Sequence, residues 1–527
     1  SGAHVVGSFN AASGYGSALW VEGSRNTAMG PSAGQRVTGD YNTALGSNAG
    51  TDVSGTGNTA MGLQAGRYIS GSKMKVDNPD LPGAFLEGQF NTASGALAGS
   101  NVVGQANVAN GLLAGRDVTG SYNIATGAKA GSGVSGIGNI ASGHFAGEKV
   151  DGDVNVAIGN QAGRGVIGSA NTGVGNNAGG SVEGSNNAAF GEAAGSDVKG
   201  EGNIAVGVGS GQRVEGDGNV AVGSTAGLDS KGNRNIAVGD WAGVATSGDD
   251  NIASGRRAGQ FTAGNANAAS GSYAGQNVSG NNNVASGTQA GNFVQGSNNV
   301  AMGTAAGTGI QYDDSRLVDR NGQAIDPATF VLPVLNDTVA IGNTAITDSD
   351  RSIALGKGAL AGAAGKTDAI AIGTGAQATG TKSISIGTGN IVSGNNSGAI
   401  GDPSIIDAAN SYSVGNNNTI GTGADNSFVL GNNVKIGKNI SGATALGDSS
   451  GVTQTDGVAL GSKSQATTAA GVVGYDPRTG AAAAAGTAIA NTTSTLAAVS
   501  VGGNGQFRLI TNVGAGGADT GAVNVSQ

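Results

Sequence analysis

The sequence repeats itself every 16 residues, and that period limits what the chain can fold into. NTAMGPSAGQRVTGDY (residues 26–41) is followed at once by NTALGSNAGTDVSGTG and then by NTAMGLQAGRYISGSK. Asn10, Asn26, Asn42 and Asn58 keep the register; it breaks, resumes at Asn91 and runs every 16 residues to Asn299, giving 18 copies. The pattern is N-[TIV]-A-x-G-x-x-A-G-x-x-V-x-G-x-x. Its first Gly holds in every copy, as at Gly30, Gly46, Gly95, Gly207 and Gly303, and the Ala two after Asn gives way only at Gly173.

A helix cannot carry this pattern, because each interior Gly costs about 1 kcal/mol against Ala. Short β-branched strands separated by Gly corners can, since Gly accepts positive φ and lets the backbone turn sharply. Coils of this kind stack as a parallel β-solenoid with about 4.8 Å between rungs. Like residues then fall above one another, so Asn26, Asn42 and Asn58 are expected to form a ladder of mutually bonded amides. Ala28, Ala44 and Ala60 mark a wall where another stretch of backbone packs close. The expected fold class is all-β, a parallel β-roll or solenoid.

Composition narrows this further. With 102 Gly but only 7 Pro in 527 residues, collagen is excluded. The apolar residues are mostly Ala, Val and Ile, so the core is thin and buries little area at about 25 cal/mol per Å². A second apolar face is therefore expected to meet another chain. The residue three after Asn fits such a seam: it is Met29, Leu45, Met61, Ile158, Val206 or Met302 in some copies and Ser94, Ser142 or Ser286 in others. A net charge of −9 without a basic stripe argues against nucleic acid as partner. No apolar run is long enough for a membrane-spanning helix. The start, SGAHVVGSFN, lacks the features of a signal peptide.

The rhythm fails in two places. Residues 72–88, SKMKVDNPDLPGAFLEG, are inserted between Asn58 and Asn91; such a loop is either a binding element or a tolerated surface loop or lid. Residues 308–336 interrupt again, after which shorter copies end at Gly342, Gly356, Gly373, Gly387, Gly401, Gly415, Gly431, Gly447 and Gly461. Their alternation, as in Ser352-Ile353-Ala354-Leu355, predicts a β-strand in each. The chain thus divides into 16-residue repeats (1–311), a linker (312–336), repeats of about 14 residues (337–470) and a connector (471–527) that leaves the register. In the imperfect first copy Trp20 is expected to cap the stack, and His4 is placed in an N-terminal tail.

The strands from 337 to 461 resemble those in the heads of trimeric autotransporter adhesins, the YadA type of Gram-negative surface protein. More specifically, Arg508-Leu509-Ile510-Thr511-Asn512-Val513 followed by DTGAVNVSQ (519–527) resembles that family's neck. The 16-residue copies depart from the family's usual shorter unit and also resemble Asn-rich repeats of some phage tail fibres. The adhesin resemblance implies a left-handed β-roll, a homotrimer with a short C-terminal neck, and display outside the outer membrane, with stalk and anchor beyond Gln527. It implies non-enzymatic attachment to host matrix, cells, other bacteria or inert surfaces. The alternative is a phage tail-fibre-like trimeric solenoid that binds a receptor or a polysaccharide.

Residues for other chemistry are missing. The chain has no Cys and only two His, His4 and His144, the latter at a variable turn expected to be solvated, so no zinc site of the usual kind is available. Asp52, Asp117 and Asp197 recur at one repeat position, but Gln, Arg or Ser stand nearby in other copies, which argues against a calcium ladder. No metal and no cofactor are expected. A polysaccharide-cleaving solenoid needs clustered acids and bases along a groove, whereas the regular faces here are Ala, Ser, Thr and Asn. Thr27, Thr43 and Thr59 give way to Val108 and Ile124, which spoils an ice-binding ladder. Exposure singles out Lys73, Lys75, Asp77 and Phe85 in the insertion, with Arg36, Arg67, Tyr68 and Arg116 on the outer turns, as ligand-binding candidates.

Overall fold

The computed structural model describes residues 2–70, 74–75, 85–86, 89–313, 316–319, 323–326, 331, 334–518 and 520–521. The chain forms two compact units, Ser1–Asn277 and Val278–Gln527. Both are parallel β-solenoids, and the single helix among the described residues is the short Ala488–Asn491.

In the first unit each coil has a three-residue strand, such as Thr27–Met29, and a second, shorter station, such as Val37–Thr38. Both stack in parallel on the next coil, with Ala28 opposite Ala44 and Val37 opposite Val53. The stack begins earlier than the sequence suggested: Val5–Val6 pairs with Val21–Glu22, so the residues around His4 belong to a leading coil and not to a tail. The insertion leaves this stack undisturbed. Thr59 pairs with Thr92 and Ile69 with Val102, so the coils before and after the insertion stack directly on one another.

Strand alternation decides what is inside. Ala28 points in and is buried, as are Ala33 and Val37, while Thr27 and Met29 face outward. The small side chains leave a slender channel, lined by Asn123, Ala125, Gly131, Val134 and their equivalents from Ile69 to Ala221. The predicted Asn ladder is present and fully used. Asn26 Oδ1 accepts from the backbone N–H of Asn42 at 2.9 Å and from Asn42 Nδ2 at 3.1 Å, and Asn42 Nδ2 also donates to Gly55 O at 2.8 Å. The ladder crosses the insertion, where Asn91 donates to Asn58 through its backbone N–H and its side chain, each at 3.0 Å. It continues to Asn267.

Glycine is required where coils meet most closely. At Gly30, with φ 123°, an added Cβ would lie 2.9 Å from the carbonyl of Gly46 in the next coil. At Gly34 it would lie 2.8 Å from the Ala28 side chain, so the Ala wall and the second Gly exclude each other's growth. Gly makes only half of the turns, however. Ser32, Arg36 and Tyr41 are also left-handed, at φ 57°, 53° and 60°, and the same three positions recur in coil after coil. A left-handed L-residue costs about 1–2 kcal/mol. The fold offsets this by hydrogen bonding: the N–H groups of Ser32, Arg36 and Tyr41 donate to carbonyls of the preceding coil at 2.8, 2.8 and 3.0 Å.

The second unit uses the same device in a tighter coil. Strands stand before every glycine expected from the sequence, from Val339–Ile341 to Val458–Leu460. A second ladder of nine short strands runs from Ile346–Thr347 to Gln465–Ala466. Thr338 ends the Asn column, donating from its backbone N–H and its hydroxyl to Asn299 Oδ1 at 3.1 and 2.7 Å. Serines then take over: the N–H of Ser411 donates to Ser397 Oγ at 3.1 Å, and Ser397 Oγ donates to Ala408 O at 2.7 Å. The shorter serine suits the narrower coil, inside which Ile406, Ile420 and Ile436 are fully buried. The region after residue 470 is not wholly out of register. Val499–Ser500 pairs with Val458–Ala459, so Val499-Ser500-Val501-Gly502 is a late strand rung that follows a small hairpin, Tyr475–Asp476 with Ala481–Ala482.

Removing one ladder amide strands two buried partners. Asn139→Ala is expected to destabilise its coils by about 3 kcal/mol through the orphaned N–H of Asn155 and carbonyl of Gly152. Denaturant unfolding and faster amide exchange at Asn155 check this. Conversely, Val154 holds a β-branched side chain at φ 58°, so Val154→Asn is expected to gain about 1 kcal/mol in the same unfolding assay.

Candidate functional site

Two outer surfaces follow from the coil. On the strand face, the residues one and three after each Asn point away from the roll on either side of the buried Ala. Ile204, Val206, Ile236 and Val238 are each about 40% exposed, at 42%, 38%, 38% and 41%. In the second unit Ile353, Leu355, Phe428 and Leu430 continue the pattern with larger side chains. Each unit thus presents two parallel columns of half-wetted groups, largely apolar but interrupted by polar rungs such as Ser94, Asn110 and Ser254, wider than the single column expected from the sequence.

The other surface is formed by the left-handed corners. Their side chains stack one per coil, at about 4.8 Å, and interact up and down the column. Arg36 Nη2 donates to Asp52 Oδ2 at 2.6 Å, one coil away. Arg213 with Asp229 and Arg234 with Asp250 repeat that pair at 2.6 Å, and Arg164 meets Glu148 at 2.7 Å. The Arg213 guanidinium, as hydrogen-bond donor, holds the Asp229 carboxyl below its ordinary value. Exposed pairs such as these each contribute about 0–1 kcal/mol, and together they favour one register.

The candidates on these corners share one face. Arg36 and Tyr68 lie in one column with Asp52 between them, and Arg67 and Arg116 lie in the adjoining one. The Arg67 guanidinium sits 4.5 Å from the Tyr68 ring centre, and Arg116 pairs with Asp117 at 3.1 Å. In the insertion, Lys75 and Phe85 are directly opposed in a two-stranded antiparallel ladder, their side chains outside the described residues. Lys73 and Asp77 lie outside the described residues altogether. Trp20 stands on the outer face, 58% exposed and stacked on His4 at 4.0 Å between ring centres. His144 is an exposed neighbour of Phe145. Among the described residues no group of three or more His, Cys, Asp or Glu is placed to hold a metal ion.

Reading along the chain missed the mixed aromatic and basic clusters that the stacking creates. Arg25 lies over Phe9 and Tyr41 at 5.9 and 5.1 Å, and Lys129 and Arg164 approach Phe145 at 4.7 and 5.6 Å. Arg256 and Arg257 both approach Tyr273, at 5.4 and 5.6 Å. The signal was available by aligning the repeats and reading each column downward. What these columns offer is repeated, non-covalent contact.

Residues 336–359, 364–390, 378–402 and 441–464 match the YadA head domain repeat. All of these segments lie in the second unit. No curated protein matches the chain. The matched segments are therefore similar to an adhesin head, and the geometry of the rungs, with small residues inward and branched residues outward, is common to them and to the unmatched 16-residue coils.

In the second unit the Asp368 carboxylate is held by two side-chain donors. The Arg351 guanidinium, then the Thr367 hydroxyl, hydrogen-bond Asp368 and lower its pKa to about 2. Its folded value lies below the unfolded one, so its contribution to stability is present above about pH 4 and is lost as the pH falls toward 2. A carboxyl-detected NMR titration is expected to show a midpoint near 2 for Asp368, moving back toward the ordinary range in Arg351→Gln.

Proposed function

We propose that the chain is the non-enzymatic head of a trimeric surface adhesin. Three copies bury their strand faces against one another about a common axis, each copy a left-handed β-roll. Residues 1–311 and 337–470 are its two runs of roll, 312–336 link them, and 471–527 lead into a neck built from residues 508–527. The assembly stands outside the outer membrane of a Gram-negative bacterium and holds it to host matrix, to cells or to other surfaces.

One observation carries this reading: each unit has two columns of partly exposed, largely apolar groups on its strand face, over an interior made of Ala, Val and Gly. A monomer leaves those columns in water, and a neighbouring copy removes them from it. The YadA head repeats in the second unit support both the adhesive role and the threefold assembly. Each contact is then presented three times, which turns weak single contacts into strong attachment. The contacts are assigned to Lys73, Lys75, Asp77 and Phe85 in the insertion and to Arg36, Arg67, Tyr68 and Arg116 beside it.

Sedimentation of the intact chain is expected to give three times the 50.2 kDa chain mass. Ile204→Asp combined with Val206→Asp is expected to shift it toward the monomer. Beads carrying the chain should adhere to a panel of immobilised matrix proteins and cell surfaces, and deletion of residues 72–88 should weaken adhesion while the trimer persists. A monomeric wild type, or a chain that adheres to nothing on the panel, would sink the proposal; unchanged adhesion after the deletion would remove the insertion from it.

A further inference from the structure

The corner columns of the first unit contain one cluster built differently from the ion-pair rungs around it. Trp241, Arg257 and Tyr273 occupy the same repeat position, six after the ladder Asn, in three consecutive coils. All three are left-handed, at φ 58°, 55° and 59°, which turns their side chains off the roll. Their N–H groups donate to Ser224 O, Asp240 O and Arg256 O at 2.9, 2.8 and 2.8 Å, fixing the height of each corner. Beneath them, two buried glutamines complete the support. Gln260 Nε2 donates to Trp241 O at 3.0 Å, and Gln276 Nε2 donates to Arg257 O at 2.9 Å and to Gln260 Oε1 at 3.0 Å. Gln260 and Gln276 are only 7% and 3% exposed, so the corner carbonyls are locked from inside the roll. This cluster thus rests on a rigid polar layer.

The outward groups are unevenly satisfied. Arg256 faces Asp240 at 3.9 Å, but Arg257 has no carboxylate at ion-pair distance among the described residues. Its guanidinium lies over the Tyr273 ring, 5.6 Å from the ring centre. Trp241 is 42% exposed, and its indole stacks on no other ring and no cation among the described residues. A chain with a net charge of −9 therefore carries an unneutralised guanidinium between two aromatic side chains, spaced at about 4.8 Å per coil along the stacking direction. An aromatic face takes the apolar face of a sugar ring, and a guanidinium takes a carboxylate or sulfate through paired N–H groups.

We propose that Trp241, Arg256, Arg257 and Tyr273 form a binding platform for an acidic polysaccharide, a pyranose chain bearing carboxylate or sulfate groups. The chain lies along the stacking direction, one sugar ring on Trp241 and the next acidic group on Arg257. Tyr273 holds the two guanidinium groups in place from the far side. This deepens the adhesive reading and rests on it for its biological setting, while the test below measures binding directly.

Calorimetric titration of the intact chain with a heparin dodecasaccharide, with an oligoguluronate that carries only carboxylates, and with neutral dextran separates the chemistries. Binding is expected for at least one acidic chain, weakening as salt is added, and not for dextran. Trp241→Asn and Arg257→Asn retain a residue that tolerates the left-handed corner, so the coil is kept, as an unchanged thermal unfolding curve is expected to show. Each is expected to weaken binding by about ten-fold. Failure of both acidic chains to bind, equal binding of dextran, or undiminished binding by both variants would overturn the platform. A chain that still adheres to surfaces with the platform overturned leaves the adhesive reading standing.

Discussion

The hydrogen bond from one coil to the next is the interaction on which the rest depends. Each coil is too short and too poor in large side chains to hold itself together, so every rung takes its order from the rung below. Backbone pairing alone would leave that order loose, because a solenoid of near-identical coils could pair in shifted registers. The buried amide prevents this. Asn42 must meet the backbone of its own coil at Gly55 and the side chain of the coil before it at Asn26 at the same time. A shift by one residue would bury an unsatisfied amide in every coil, at about 1–3 kcal/mol each.

The same constraint explains why the two units differ. An Asn reaches across a wide coil to a carbonyl 13 residues on, whereas Ser397 reaches one 11 residues on. With the shorter reach comes a shorter coil, and larger aliphatic residues fill it. In the first unit the wide coil leaves a channel, and stability depends correspondingly more on polar rungs than on apolar burial. That balance also sets what the outside can be. Since little apolar surface is hidden within the roll, the branched residues on the strand face stay partly in water, and the corners, fixed by backbone bonding, can vary freely in side chain.

Much of this was legible in the repeats. Asn26 and its equivalents announced a ladder, Ala28 announced close packing against Gly34, and glycines such as Gly342 and Gly356 announced the strands before them. The rest was hidden for identifiable reasons. Ser32, Arg36 and Tyr41 are left-handed, but no residue type marks the positions, because the backbone bonds to the previous coil and not the side chain supply the stabilisation. Val499–Ser500 rejoins the strand ladder after a detour whose composition looks unrelated to the repeat. Of the candidate site, Arg36, Arg67, Tyr68 and Arg116 could be recognised as outward-facing, but not that Asp52 already engages Arg36.

By itself the sequence determined the class of fold, since period, glycine spacing and the Asn column admit a stacked parallel coil and little else. It also determined which face is inward, because a three-residue strand has only two sides and Ala fills one of them. Only the tertiary structure decided the neighbours. Arg164 and Glu148, or Trp241 and Arg257, are 16 residues apart in the chain and one coil apart in space. Stacking converts a sequence period into adjacency, so which side chains meet, and what they present together, is a property of the stack and not of any coil in it.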